Sequence, residues 1–169
     1  DKGDCRVKLA IFCTKFIGRG VLNYLISSHP NDIRAVIYLD QDREILKDCD
    51  LPSHVKAFEY NELKDSNSSY YDLTLDLVII SWFPKIIPST YYAFSRLGAI
   101  NTHNSLLPIG RGVHANYWAI KNKEPYGVSI HKVTDETDAG DLVLQRKIDY
   151  SWEDTGETLY QRGLDYLLD

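Results

Sequence analysis

Methionine is absent from the 169 residues, so the chain as it stands does not open on an initiator, and part of the native chain is expected to lie outside it. Long apolar runs are absent as well. No stretch approaches the roughly 18 residues that read as a membrane span, and the opening DKGDCRVK carries no signal-peptide pattern. A membrane partner is therefore not expected. Cysteine is scarce: Cys5, Cys13 and Cys49 are an odd number with neither a CxxC nor a metal-ligand spacing. A reduced, cytoplasmic chain is the simplest reading of that usage. HExxH and clustered His/Cys sets are missing, which speaks against a metal centre. Basic charge is in deficit, with 19 Lys+Arg against 24 Asp+Glu for a net charge of −5. Nucleic-acid binders usually present a basic face, so a polyanionic partner is not expected.

What remains is a globular composition, 44% hydrophobic and 25% charged, long enough for one domain with a substantial core. Strand-like and helix-like segments alternate along it. Strand signals are RVKLAIF from Arg6, IRAVIYL from Ile33, the weaker VKAFEY from Val55, LDLVIISW from Leu75, AINTH from Ala99, YGVSIHKV from Tyr126 and DLVLQRKIDY from Asp141. Helix signals cover roughly Gly20 to Ser28, STYYAFSRLG closed by Gly98, VHANYWAIKN, and DTGETLYQRGLDYLLD. In the last of these Tyr160, Leu164, Leu167 and Leu168 recur at helical spacing, and Asp154 with Glu157 resembles a capping pair. The two final strands, separated by TDETDAG, suggest a β-ribbon. Such alternation implies an α/β fold with a mainly parallel twisted sheet and helices on both faces, in a single domain spanning 1–169. The final helix meets no stop signal, which suggests that a native C-terminal portion is missing.

Open α/β sheets bind ligands at the carboxyl ends of their strands. Three segments answer to that place: CTKFIGRG, SWFPKIIP and NTHNSLLPIGRG. The first lacks the third glycine of GxGxxG and is no P-loop, so a dinucleotide or ATP site is poorly supported. The third is sharper. Residues i and i+2 of a strand share a face, so Asn101 and His103 project together while Thr102 points away. A lone histidine at a strand end is more often structural, but TDETDAGD supplies acids nearby in Asp135, Glu136, Asp138 and Asp141. That turn fails as a calcium loop, because Gly140 at the sixth position leaves Thr137, Ala139 and Arg146 at ligand positions. Without GxSxG, Ser105 is not an elbow nucleophile. Cys13 reads as a small buried residue rather than a nucleophile, His29 and His54 as surface residues, and His131 as structural. His114 either touches a substrate or starts a helix, while Tyr117 and Trp118 read as packing that helix.

NTHNSLLPIGRG, followed about 35 residues later by VTDETDAGDLVLQ and preceded by LVIISWFPKIIP, resembles the folate-dependent formyltransferases. These include the glycinamide ribonucleotide, methionyl-tRNA and nucleotide-sugar enzymes. The resemblance implies a Rossmann-like catalytic domain, a catalytic set of Asn101, His103 and Asp138, N10-formyltetrahydrofolate as cosubstrate, and no metal. The residue types suit the reaction. A neutral amine attacks the formyl carbon, and the carbonyl oxygen gains negative charge that the uncharged Asn101 amide can stabilise by donating a hydrogen bond. His103 can donate when protonated or take the amine's proton when neutral, and Asp138 would orient and favour the imidazolium. For the pterin the resemblance implies Trp82, Phe83, Pro84, Lys85, Ile86 and Ile87 on one side, with Val133, Thr134, Asp135 and Glu136 on the other. Core packing is the competing reading for Trp82 and Phe83.

The acceptor has to be read from the loops. CTKFIGRG departs from the Gly/Ser/Asn-rich phosphate loop expected of the glycinamide ribonucleotide enzymes. The tRNA enzyme would need a basic face and an appended C-terminal domain. SLLPIGRGVHANYWAI and YSWEDTGETLY look most like the enzymes that formylate nucleotide-linked amino deoxysugars for surface polysaccharides. By that likeness Arg111, with Lys15 or Arg19, would meet the diphosphate, and Asn104, His114 and Tyr117 would line the sugar pocket. A homodimer is a further implication. Transfer to another amine, hydrolysis of the formyl group to formate, and a non-catalytic nucleotide-binding remnant are the alternatives.

Overall fold

A computed structural model of the chain describes residues 6–14 and 17–169. It divides into two compact units, Asp1–Ala99 and Ile100–Asp169. The first holds β1 (Leu9–Phe12), α1 (Ile17–Ser28), β2 (Ile33–Tyr38), the short α2 (Ile45–Asp48), β3 (Lys56–Glu59) and β4 (Leu77–Ser81). LAIF, IRAVIY and LVIIS are apolar apart from Arg34 and Ser81, as strands covered on both faces require, and nearly all their residues are buried. All three pairings in this unit are parallel: β1 with β2, β1 with β4, and β2 with β3. The order is β3-β2-β1-β4, so the chain winds outward from β1 and then crosses back to its other side. That reversal between β1 and β4 is a topological switch point. The fold is therefore α/β and Rossmann-like, as the sequence implies.

Two segments of this unit depart from expectation. The helix expected from Gly20 begins at Ile17, and Val21, Leu22 and Leu25 complete its buried face. STYYAFSRLG does not form a helix beyond a single 3-10 turn at Ser89–Tyr91. Its Ser, Thr and aromatic residues are weak helix formers. The Ser95 hydroxyl competes for the backbone by bonding the carbonyls of Tyr92 at 2.6 Å and Gly98 at 2.9 Å.

The second unit carries β5 (Ala99–His103), α3 (Ala115–Asn122), β6 (Tyr126–Lys132), β7 (Leu142–Ile148) and α4 (Gly156–Leu168). β5 pairs antiparallel with β6, and β6 with β7, which realises the expected ribbon. Its core is Ala119, Tyr126, Val128, Ile148 and Leu159, with Ile120, Tyr150, Tyr166 and Leu167 packed against it. α3 buries Ala115 and Ala119 and leaves Tyr117 and Trp118 largely exposed, so the two aromatics do not pack that helix as expected.

α4 is capped by Thr155 and Thr158, each side chain bonding the other's backbone N–H, and not by Asp154 and Glu157. Asp154 instead accepts from the Ser151 N–H at 2.8 Å and pairs with Arg162 at 2.6 Å. The buried face of α4 runs through Leu159 and Gly163, one position round from the expected Tyr160 and Leu164. Gly163 explains the rotation. A Cβ there would lie 2.5 Å from Asn104 Oδ1 and 3.4 Å from the Tyr126 hydroxyl, so the helix seats closely only with glycine at this position.

Gly163→Ala sets helix propensity, worth about 1 kcal/mol in favour of alanine, against overpacking, which costs about 1–3 kcal/mol. Asn104 is tied to Tyr126 and cannot simply turn away. The expected result is a net loss of about 1 kcal/mol in urea unfolding with an unchanged slope. A stabilised variant would mean that α4 seats elsewhere.

Candidate active site

On β5, Thr102 is buried and Asn101 and His103 share the opposite face, as the period of two requires. The antiparallel register sets Asn101 opposite His131 and His103 opposite Ser129. One face of this strand pair thus carries an amide, two imidazoles and a hydroxyl. Asn101 Nδ2 lies 3.3 Å from His131 Nε2, and the two imidazole rings meet edge to face at 6.3 Å. His131 Nδ1 lies 2.8 Å from the Lys132 carbonyl oxygen. A carbonyl only accepts, so that ring nitrogen carries the hydrogen.

Asp138 reaches this face from the turn between β6 and β7. Its φ of 49° is left-handed, a conformation aspartate tolerates better than most residues. Two residues on, Gly140 leaves no room for a side chain, because a Cβ would collide with the Lys132 carbonyl. The Asp138 carboxylate lies 3.5 Å from His131 Nε2 and 3.7 Å from His103 Nε2, and it accepts the Gly112 N–H at 2.9 Å. His103 Nε2 also donates to the Gly110 carbonyl at 2.9 Å. Side-chain exposure is 12% for His103, 3% for His131 and 9% for Asp138, so little water screens these charges. Burial by itself pushes the Asp138 carboxyl up. The His131 ring, the Gly112 N–H and the charge on His103 outweigh it and hold the carboxyl below the usual carboxylate range.

The loop between β5 and α3 is pinned from beneath. Ser129 donates to the Ser105 carbonyl at 2.7 Å and accepts the Leu107 N–H at 3.2 Å. Gln145 Nε2 donates to the Leu107 carbonyl at 2.7 Å and to Ser129 Oγ at 3.0 Å. Ser129, Gln145 and above all His131 are site residues that sequence reading missed. For Ser129 and His131 the signal was present as alternation along YGVSIHKV, but only the pairing with β5 shows which face they serve, and Gln145 of β7 is brought to Ser129 by the β6–β7 register.

Other expected residues fall in different places. Asn104 lies on the Thr102 side of the chain's alternation, and its Oδ1 accepts from the Tyr126 hydroxyl, so it does not join the cluster. Arg111 is exposed and bridges to Glu136 at 3.5 Å, linking the loop to the turn. His114 is the exposed N-cap residue of α3 with φ 59° and makes no side-chain cap. Tyr117 meets Trp118 edge-on at 5.2 Å, with Lys121 over both rings. Val133 is half-buried, and Thr134, Asp135 and Glu136 are exposed, Thr134 bonding the Glu136 carbonyl at 3.1 Å.

In the first unit, Trp82 has φ 46°, and its carbonyl accepts from the Thr14 hydroxyl at 3.4 Å. Phe83 packs against Phe12 and Tyr60, and Ile87 is buried, so core packing accounts for both. Pro84 is exposed, Lys85 sits 5.0 Å over the Tyr60 ring, and Ile86 is 84% exposed. Arg19 pairs with Asp48 at 3.3 Å, and Lys15 lies outside the described residues. Burial drives the Cys13 thiol far above its ordinary range, which removes it as a nucleophile. Among the described residues, no group of three or more His, Cys, Asp or Glu is placed to hold a metal ion, and no helix is long and apolar enough to cross a membrane.

The folded Asp138 carboxyl titrates below the unfolded one, so its contribution to stability is present above about pH 4 and fades as pH falls through the folded value. Asp138→Asn lacks this titration. The advantage of the wild type over the variant in urea unfolding should therefore be level near neutrality and shrink steadily below about pH 4. An advantage that grew on acidification would reverse the sign and disprove the assignment.

The formyl transferase family matches residues 24–166. The chain is 34% identical over 130 residues to the methionyl-tRNA formyltransferase of Fusobacterium nucleatum, covering 73% of this chain and 42% of that protein. It is 28% identical over 129 residues to the GDP-perosamine N-formyltransferase of Brucella melitensis, covering 72% of this chain and 50% of that one. Among solved structures it resembles in fold the N-formyltransferase from Helicobacter canadensis in complex with folinic acid and dTDP-3-aminofucose. There the TM-score is 0.74 at 24% identity, over 96% of this chain and 61% of that one. The chain spans about half the length of the curated relatives it matches. On the extent of the family match, the chain belongs to the formyl transferase family.

Proposed function

We propose that the protein transfers a formyl group from N10-formyltetrahydrofolate to an amine, with Asn101, His103 and Asp138 as the catalytic residues. The observation that carries this reading is the buried carboxylate of Asp138 set between two imidazoles, one of which also contacts the Asn101 amide. The cosubstrate supplies an activated one-carbon carbonyl. Asn101 donates to the oxygen that becomes negative as the amine adds, without bringing a charge of its own. His103 moves the proton that the amine must lose, and Asp138 supplies the counter-charge while the imidazole holds it. The folate reading has support in the first unit. The segment Trp82–Ile87 leaves the sheet through irregular backbone and presents an almost fully exposed Ile86, the kind of apolar surface and loose backbone polar groups that a pterin takes up. Val133, Thr134, Asp135 and Glu136 are proposed as further folate contacts on the second unit.

For the acceptor we favour a nucleotide-linked amino sugar, in keeping with the GDP-perosamine relative and the Helicobacter canadensis fold neighbour. Arg111 suits the diphosphate, and the exposed His114 and Tyr117 suit the sugar. One observation favours a second reading, methionyl-tRNA: the relative named for it has the higher identity of the two compared, 34% against 28%. The chain's net charge of −5 weighs the other way.

The test is consumption of N10-formyltetrahydrofolate with a panel of GDP-, TDP- and UDP-linked amino sugars, glycinamide ribonucleotide, methionyl-tRNA, or no acceptor. Acceptor-dependent loss is expected with a sugar, while formate release without an acceptor would make the protein a hydrolase. Asn101→Ala and Asp138→Ala should each fold and lose about 10²–10³ in kcat, the usual cost of removing one preorganised group. Near-normal turnover in either variant would remove these roles.

A further inference from the structure

His103 has two ring nitrogens, and only one of them is committed. Nε2 lies 2.9 Å from the Gly110 carbonyl oxygen. A carbonyl only accepts, so this nitrogen carries the hydrogen whether the ring is neutral or charged. That state agrees with the low titration of Asp138, whose carboxylate lies 3.7 Å from the same nitrogen and draws on the charge of the ring. Among the described residues nothing bonds His103 Nδ1.

The backbone at Gly110 is built to keep that carbonyl in place. Its φ of 72° is left-handed, and a Cβ there would lie 3.0 Å from Ser105 Cβ and 3.2 Å from Ala115 Cβ. Conformation and crowding both demand glycine. The loop is also fixed on either side. Ser129 and Gln145 hold Ser105 and Leu107, and Asp138 holds the Gly112 N–H. Swinging the carbonyl away from the imidazole would strain contacts in both directions along the chain.

We propose that Gly110 is a positioning residue, whose carbonyl fixes the hydrogen of His103 on Nε2 and leaves Nδ1 as the nitrogen that exchanges a proton with the substrate. This rests on the formyl-transfer reading of the site. As the amine nitrogen bonds to the formyl carbon, His103 takes one amine hydrogen at Nδ1 and becomes an imidazolium. It then gives that proton from Nδ1 to the folate nitrogen as the bond from that nitrogen to the formyl carbon breaks, which restores the neutral ring. The Gly110 carbonyl, at 2.9 Å, decides which nitrogen reacts, and the Asp138 carboxylate, at 3.7 Å, supports the charge while the ring holds it. A hydrogen moved to Nδ1 would turn a bare Nε2 toward two oxygens and leave the amine no base.

Two variants separate the carbonyl from the carboxylate. Two-bond 1H–15N correlations on the neutral His103 ring should place the hydrogen on Nε2 in the wild type. The same form should persist in Asp138→Ala, where the carboxylate is gone and the carbonyl remains. In Gly110→Ala the displaced carbonyl releases the ring, and the Nδ1–H form should appear. Its kcat should fall about 10²-fold, within the usual range of a general base, with KM for the folate within about threefold of wild type. Gly98→Ala places alanine at a φ of 75° with nothing within 4 Å, so it carries backbone strain away from the site and should keep the wild-type kcat.

A hydrogen on Nδ1 in the wild type would overturn the proposal. So would an Asp138→Ala ring that loses its Nε2 hydrogen, which would make the carboxylate the deciding group, or an undiminished kcat in Gly110→Ala. The wild-type and Asp138→Ala spectra need no turnover, and they decide the matter even if Gly110→Ala does not fold. An Nε2–H ring in both, in a protein that transfers no formyl group to any acceptor, would uphold the carbonyl's hold on the ring and remove the function instead.

Discussion

A carboxylate taken out of water is costly unless charge and hydrogen bonds replace the solvent. Asp138 meets that requirement with groups from three parts of the second unit: the Gly112 N–H of the loop after β5, His103 of β5 and His131 of β6. Each contact restrains its own element. The loop is held by its backbone, the strand pair by its imidazoles, and the turn by a left-handed residue followed by a glycine that alone fits against Lys132. The carboxylate is thus a junction of the second unit, and its low titration and its position have the same cause.

The parts of the site that follow from local geometry were legible in the sequence. Asn101 and His103 share a face because a strand alternates, and no fold need be known to say so. Asp138 came from family resemblance, since four acids occupy TDETDAGD and spacing alone does not choose among them. His131 was read as structural because its partner lies 30 residues away and register is a property of paired strands. In the fold, short apolar strands were plain, while STYYAFSRLG and the buried face of α4 were misread. Both turn on tertiary contacts, of the Ser95 hydroxyl in one case and of Asn104 against Gly163 in the other, that a helical period does not encode.

Electrostatic catalysis is effective when donors need not reorganise during the reaction, and that depends on what lies behind them. Here the support is polar and nearly saturated. Ser129 uses its hydroxyl as both donor and acceptor toward the loop, and Gln145 spans the Leu107 carbonyl and Ser129 from a strand whose other residues are mostly exposed. An apolar underside would pack the loop without fixing its register. Directional hydrogen bonds fix both, which fits a site where the reacting groups must be held to fractions of an ångström.

That rigidity also bears on why one cluster can serve different acceptors across a family. On the function proposed, the groups at Asn101, His103 and Asp138 would meet only the formyl carbon, its oxygen and the attacking nitrogen, which are common to every amine acceptor. Discrimination would then come from side chains that reach further out, and Arg111, His114 and Tyr117 are all exposed, on a loop and on the first turn of a helix. Such residues can change without disturbing the buried carboxylate, because their own contacts are to the surface: Arg111 to Glu136, and Tyr117 to Trp118 and Lys121. On that proposal, chemistry and specificity are carried by residues of different burial, and a change of acceptor would require no change in the groups that move the proton or stabilise the oxyanion.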